Sequence, residues 1–239
     1  MSRLVVAFLA CLSFFAAARA GSQEEAPPVL FPTLPAQGQT QADLVPKGWT
    51  VEIESRGDLN GDRIPDLMLV LHMTDPGHVL KNDGFGASEI DTNPRMLVVA
   101  FADKATKEYS LALANHTLIP RHTNPVMDDP LEGAAIVKGT VQVSLTFWTS
   151  AGSWFTSQTK YTFRDQDGCF KLIGYDSTET KRNSGETSTV SINYPARKMK
   201  ITKGSIENDR VKTSWKTLRS SSLLCMDAVG DGLDFHPED

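Results

Sequence analysis

Cysteine is scarce in this chain, with three in 239 residues and none in a C-x-x-C pair, which excludes a dithiol redox motif and a zinc ribbon. The five histidines include no i, i+4 pair, the spacing that sets two imidazoles around zinc on one helix face. Positive charge is not in excess: the net charge is −5 at pH 7, which argues against nucleic acid as a partner. A G-x-S-x-G nucleophile elbow is missing, since Ser150-Ala151-Gly152-Ser153-Trp154 does not match it and no strand-to-helix turn is expected there. Beyond Ala17 no apolar run approaches the roughly 20 residues that span a bilayer, so no membrane span is expected. No segment has the length and period of a long helix.

What is present begins with Arg3, an apolar run from Leu4 to Ala17, and Ala18-Arg19-Ala20. That order predicts a secretory signal peptide over residues 1–20, cleaved after Ala20. Cys11 lies early in the apolar run behind Phe8-Leu9-Ala10, a poor lipidation signal, so a soluble periplasmic or secreted product is expected. Cleavage removes two arginines and no acid, taking the net charge from −5 to −7. Cys169 and Cys225 survive it, and an oxidising compartment permits a disulfide between them, the alternative being two buried thiols.

Residues 21–43 are rich in Pro, Gln, Ala and Gly and read as an extended linker, on which Phe31 and Leu34 are the residues able to dock. Residues 44–225 read as a β domain: short β-branched and aromatic runs punctuated by Gly, Asp, Asn and Pro. Eleven strands are expected, at 50–54, 66–73, 96–102, 109–114, 134–138, 141–149, 154–164, 170–177, 187–194, 198–202 and 212–215. Val141, Val143, Leu145 and Phe147 alternate with Gln142, Ser144 and Thr146, the pattern of a sheet solvated on one side. Asp165-Gln166-Asp167-Gly168 supplies a hairpin turn. The fold class expected is all-β, an antiparallel β-sandwich or a strongly curved meander sheet. Residues 226–239 form an acidic tail with Asp227, Asp231, Asp234, Glu238 and Asp239, expected to lack order.

The densest chemistry lies in Gly57-Asp58-Leu59-Asn60-Gly61-Asp62-Arg63-Ile64-Pro65-Asp66, which runs into Leu67-Met68-Leu69-Val70-Leu71. Asp58, Asn60, Asp62 and Asp66, with the backbone carbonyl of Ile64, offer the alternating oxygens a calcium ion requires. This D-x-N-x-D-x-x-x-D pattern before a strand resembles the calcium loops of FG-GAP (integrin-propeller-like) repeats and, less closely, those of dockerins and EF-hands. The resemblance covers about a dozen residues and implies a bound Ca2+ of structural role. It departs from the EF-hand at Arg63, where glycine is expected, and at Leu69, where a bidentate glutamate is expected. The loop occurs once, and propellers need repeated blades, so a propeller is not expected. The chain as a whole is similar to secreted bacterial proteins carrying a G-D-L-N-G-D-x-I-P-D segment, a likeness that implies no activity.

Trp154, flanked by Ser153 and Trp148, is the candidate for contact with a sugar or a partner side chain. Met127-Asp128-Asp129-Pro130 with Glu132 gathers three carboxylates, the raw material of a metal shell or of acid/base chemistry. The expectation is an exported, non-enzymatic, β-rich protein with a structural calcium loop, a binding or accessory module meeting a protein or glycan of the cell envelope. The alternatives are an envelope glycan- or peptide-hydrolysing enzyme using loop carboxylates, and an exported inhibitor or immunity protein.

Overall fold

A computed structural model describes residues 25–219 and 222–237; the expected signal peptide, Cys11 and the last two acids of the tail lie outside them. The strands are β1 (Gln37–Gly38), β2 (Trp49–Gly57), β3 (Asp66–Met73), β4 (Val79–Lys81), β5 (Glu89–Asp91), β6 (Arg95–Ala102) and β7 (Tyr109–Asn115), followed by β8 (Leu131–Val137), β9 (Thr140–Phe147), β10 (Phe155–Gln166), β11 (Cys169–Lys181), β12 (Glu186–Asn193), β13 (Lys198–Ser205) and β14 (Asn208–Thr217). They form an antiparallel β-sandwich. One sheet has the order β1-β7-β6-β3-β2, the other is the meander β14-β13-β12-β11-β10-β9-β8, and β4-β5 make a small ribbon. Neither large sheet closes into a barrel.

The alternation in β9 does what its pattern predicts. Val141, Val143 and Leu145 point inward with Tyr161, Phe163, Phe170 and Leu172, meeting Met68, Val70, Leu97 and Val99 of the facing sheet. β3 and β6 instead read as continuous apolar runs, because both of their faces are covered. Their second face carries Leu67, Leu69, Leu71, Met96 and Val98 and packs on Leu34, Leu44, Trp49 and Phe31.

That packing changes the reading of the N-terminal segment. Residues 25–40 carry no helix and lead into a short 3-10 turn at Gln41–Leu44, and they form an outer layer on the smaller sheet: Leu34 is buried, Phe31 stacks on His116 at 4.3 Å, and β1 pairs with β7. Apolar coverage of β3 and β6 is the physical reason, since those strands otherwise expose a leucine face to water.

The tail also differs from expectation. Met226 is buried, Asn115 Nδ2 donates to Asp227 Oδ1 at 2.7 Å, and Tyr161 Oη donates to the Gly232 carbonyl at 2.5 Å. Phe235 packs edge-on against Tyr161 and Tyr175. A Cβ on Gly232 would sit 2.4 Å from Leu145 and 2.6 Å from the Leu118 carbonyl, so only glycine lets the chain pass there. Acidic composition concealed a plug for one end of the core. The Cys169–Cys225 disulfide anchors its start to β11.

Arg95 ties the two sheets. Its side chain is 6% exposed and forks between Glu52, which sits in the β2 bulge, and Asp129, which precedes β8, with four hydrogen bonds of 2.6–2.9 Å. Burial disfavours its charge, but the two carboxylates outweigh that and hold the guanidinium firmly protonated. Asp129 is likewise subject to burial that raises its pKa, and its bonds to Arg95 bring the net shift below the ordinary value. One of the three carboxylates in the Met127–Glu132 segment is therefore committed to a structural fork.

Candidate functional site

The Asp58–Pro65 loop joins β2 to β3 at the corner where β2 meets β8. Gly57 permits this corner: a Cβ there would lie 2.6 Å from the Ile136 side chain. Inside the loop the acidic side chains act first on their own backbone. Asp58 Oδ1 accepts from Gly61 N at 2.7 Å and Oδ2 from Arg63 N at 2.9 Å. Asn60 Oδ1 accepts from Asp62 N, and Asp62 Oδ1 from Ile64 N. These side-chain-to-backbone turns bend the chain tightly, and the left-handed conformation falls on Gly61 (φ 86°) and on Arg63 (φ 67°). Arg63 occupies the position where an EF-hand has glycine, at a conformational cost of about 1 kcal/mol.

The five expected ligands do not all come together. Asp66 is fully buried and faces the sheet, its Oδ2 accepting from Leu59 N at 2.8 Å and its Oδ1 from Ala102 N at 3.0 Å. Burial raises its carboxyl pKa; backbone bonds from Leu59, Ala102 and Asn60 oppose that shift and the nearby Asp62 charge adds to it. Asp58, Asn60 and Asp62 remain on the outer side. Among the described residues no three His, Cys, Asp or Glu side chains converge as an ion site.

The chemistry of the outer donors still suits a hard cation. An ionised carboxylate has about four lone-pair directions, and Asp58 uses two of them. Asp62 is engaged through Oδ1 by Ile64 N and through Oδ2 by Asn60 Nδ2 at 3.2 Å, and the second of these is the contact an ion would replace. The groove holding Asp58 and Asn60 is also lined by Lys138 and Arg164. Their charges oppose a dication, and the Asp165 carboxylate on the same groove partly offsets them.

The second expected contact region is partly structural. Arg182 lies 5.3 Å over the Trp148 ring, and its guanidinium donates to the Thr149 carbonyl at 2.8 Å and to the Ser153 carbonyl. Ser153 Oγ accepts from Phe155 N at 2.9 Å. Trp148 and Ser153 therefore shape the loop, while Trp154, 66% exposed, projects from it. None of the three meets the Asp58 groove.

Sequence reasoning missed a cleft of about 540 Å³ at the end of the sandwich. Arg121, Met127, Phe147 and Phe155 line it together with Glu179, Asp231 and Asp234. Burial raises the Asp231 carboxyl pKa, with the Asp234 charge adding and backbone bonds from Leu233 and Asp234 opposing. Arg121 lends its guanidinium to the carbonyls of Pro27 and Thr92 and to His78 Nδ1. The signal for an ordered wall here was Leu233, which lines the cleft, and Phe235, which packs on Tyr161 and Tyr175, an apolar alternation amid the acids of the tail that a solvated segment has no use for. The chain matches no protein-family model, no curated protein and no solved structure.

Proposed function

We propose that this chain is an exported, non-enzymatic β-sandwich of the cell envelope, a binding or accessory module whose Asp58–Pro65 loop takes a structural calcium ion. The observation that carries the reading is the loop itself. Asp58, Asn60 and Asp62 are held at alternate positions on its outer side by bonds to their own backbone, with lone pairs left over for a cation. Bound calcium would neutralise two carboxylates confined to one turn. Asp58, Asn60, Asp62 and the Ile64 carbonyl would hold it, and Asp66 would tie the loop to β7's neighbour β6 from behind. Export is supported by Arg3 with its apolar run and Ala18-Arg19-Ala20, and by the Cys169–Cys225 disulfide, which belongs to an oxidising compartment.

Thermal unfolding in EDTA and in millimolar calcium tests the metal reading. An ion present at 100 times its dissociation constant adds about 2.7 kcal/mol, so the midpoint should rise by several degrees, and the rise should vanish in the Asp58→Ala/Asp62→Ala variant. An identical midpoint in both solutions contradicts it.

One observation favours a second reading, hydrolysis of an envelope glycan or peptide: the cleft that collects Glu179, Asp231 and Asp234 beside apolar walls. A carboxyl with a raised pKa is the form a general acid takes. Turnover of an envelope glycan that disappears in Asp231→Asn would replace the non-enzymatic reading, and its absence in the parent protein would dismiss the hydrolase.

A further inference from the structure

The larger sheet has a solvent face whose composition the fold does not require. Cross-strand register places Thr146, Gln158, Thr178, Thr189, Thr202 and Thr213 in one row across β9 to β14. Two neighbouring pairs in it share hydroxyl contacts, Thr178 with Thr189 at 3.2 Å and Thr202 with Thr213 at 3.4 Å. In the adjacent row Trp215 stands directly opposite Lys200. The indole is 64% exposed and the Lys200 ammonium lies 6.0 Å from its ring. Lys198 follows opposite Thr217. Farther along the Trp215 row, Lys160 is paired with Asp176 at 3.7 Å, whereas Lys198 and Lys200 have no carboxylate within ion-pair distance among the described residues.

Positive charge is concentrated on this hairpin, on both of its faces: Lys198 and Lys200 share the Trp215 face, whereas Lys203, Lys212 and Lys216 have the parity of Met199 and Ile201 on the other. Residues 198–219 hold seven Lys/Arg and two acids, so with the whole chain at −5 the remainder carries −10. A basic hairpin on an acidic protein attracts an anionic partner to that end of the sheet, and Trp215 with Lys198 and Lys200 distinguishes one of its faces.

We propose that the solvent face of β12–β14, centred on Trp215 with Lys198 and Lys200, binds an acidic polysaccharide. The indole would stack on a sugar ring, the two ammonium groups would pair with uronate carboxylates, and the threonine row would exchange hydrogen bonds with ring hydroxyls. Each of those groups stands on a paired strand, so little ordering is needed on binding. A protein partner fits less well, because the buried centre of a protein interface is apolar, and on these three strands the hydroxyl row and the lysines leave Trp215 with few apolar neighbours. This proposal rests on the reading of the chain as an envelope binding module and names the class of its ligand.

The test titrates the purified full chain with polygalacturonate, neutral dextran and poly-L-glutamate, reading tryptophan fluorescence and mobility in affinity gels. The expected result is saturable binding of polygalacturonate alone. Trp215→Ala and Lys198→Ala/Lys200→Ala should each weaken it at least tenfold with unchanged unfolding midpoints, while Trp154→Ala leaves it intact. Equal binding of both polyanions, lost alike at 0.5 M salt, would reduce the face to a general polyanion attractor and overturn the proposal. Preference for poly-L-glutamate would replace the glycan by a peptide. Loss on Trp154→Ala but not Trp215→Ala would overturn this platform while keeping the binding-module reading, and failure to bind any of the three probes would overturn the platform, leaving the calcium test of the module reading to stand on its own.

Discussion

Two parts of one sheet behave oppositely. β9 to β11 place Val143, Tyr161, Phe163 and Leu172 against a facing sheet, and those four side chains lose nearly all their solvent contact. β14, continuous with them through the same meander, has every residue exposed, including Val211 and Trp215. Both regions are antiparallel strands of ordinary β composition. What separates them is coverage: the facing sheet ends before the meander does, and hydrophobic stabilisation follows the area removed from water. Ile192 and Met199 are the last fully buried strand positions of the meander, with Ile201 partly buried beside them and Leu218 buried just past the end of β14; β14 itself is held mainly by its ladder to β13.

The comparison breaks most sharply in the covered half. Phe163→Ala should cost about 3–5 kcal/mol by urea unfolding, the range for emptying a buried aromatic site. A cost below about 1 kcal/mol would mean the sandwich core is not packed as described. Next comes the Cys169→Ser/Cys225→Ser pair. The bridge closes 56 residues of chain, so its removal should cost about 4 kcal/mol in the chain-entropy model. It should also free the Met226–Phe235 plug, visible as faster proteolysis of the C-terminal segment.

Arg95→Met should cost about 3 kcal/mol, because it strands Glu52 and Asp129 without their shared cation, moderated by the partial exposure of both acids. The sign of its pH dependence follows from Asp129. Its folded pKa lies below the usual 3.8, so the pair's contribution is complete above about pH 4 and fades as pH falls through the folded value. Stability measured from pH 6 down to pH 2 should therefore decline less steeply in Arg95→Met than in the parent. The smallest effect belongs to the uncovered half: Trp215→Ala should change stability by less than about 0.5 kcal/mol, as for other exposed sites. A larger loss would show that something covers β14.

Most of the framework was legible from residue patterns. Each of the eleven expected strands is present, and the β9 alternation correctly marked the inward face. β1, β4 and β5 were not seen, because strands of two or three residues are set by their neighbours rather than by their own composition. The covered and uncovered halves of the meander were also indistinguishable, since alternation records which residues share a face and not whether anything lies over it. At the candidate site, spacing placed Asp58, Asn60 and Asp62 together in one loop, but it does not say which side of the loop a carboxylate faces, so the inward turn of Asp66 onto Leu59 N and Ala102 N was hidden. Trp215 drew no notice as a surface residue, because its partner Lys200 appears only once the register is known.

Coverage by the second sheet sets where stability lies, reaching as far as Ile192 and Met199 and leaving β14 exposed along its whole length. Native-state amide hydrogen exchange tests it most directly. Amides of β9–β11 should exchange only through global unfolding, and those of β13–β14 through local opening at least a hundredfold faster, a gap of about 2.7 kcal/mol. Equal protection in the two regions, at a protein concentration where the chain is monomeric, would contradict the account.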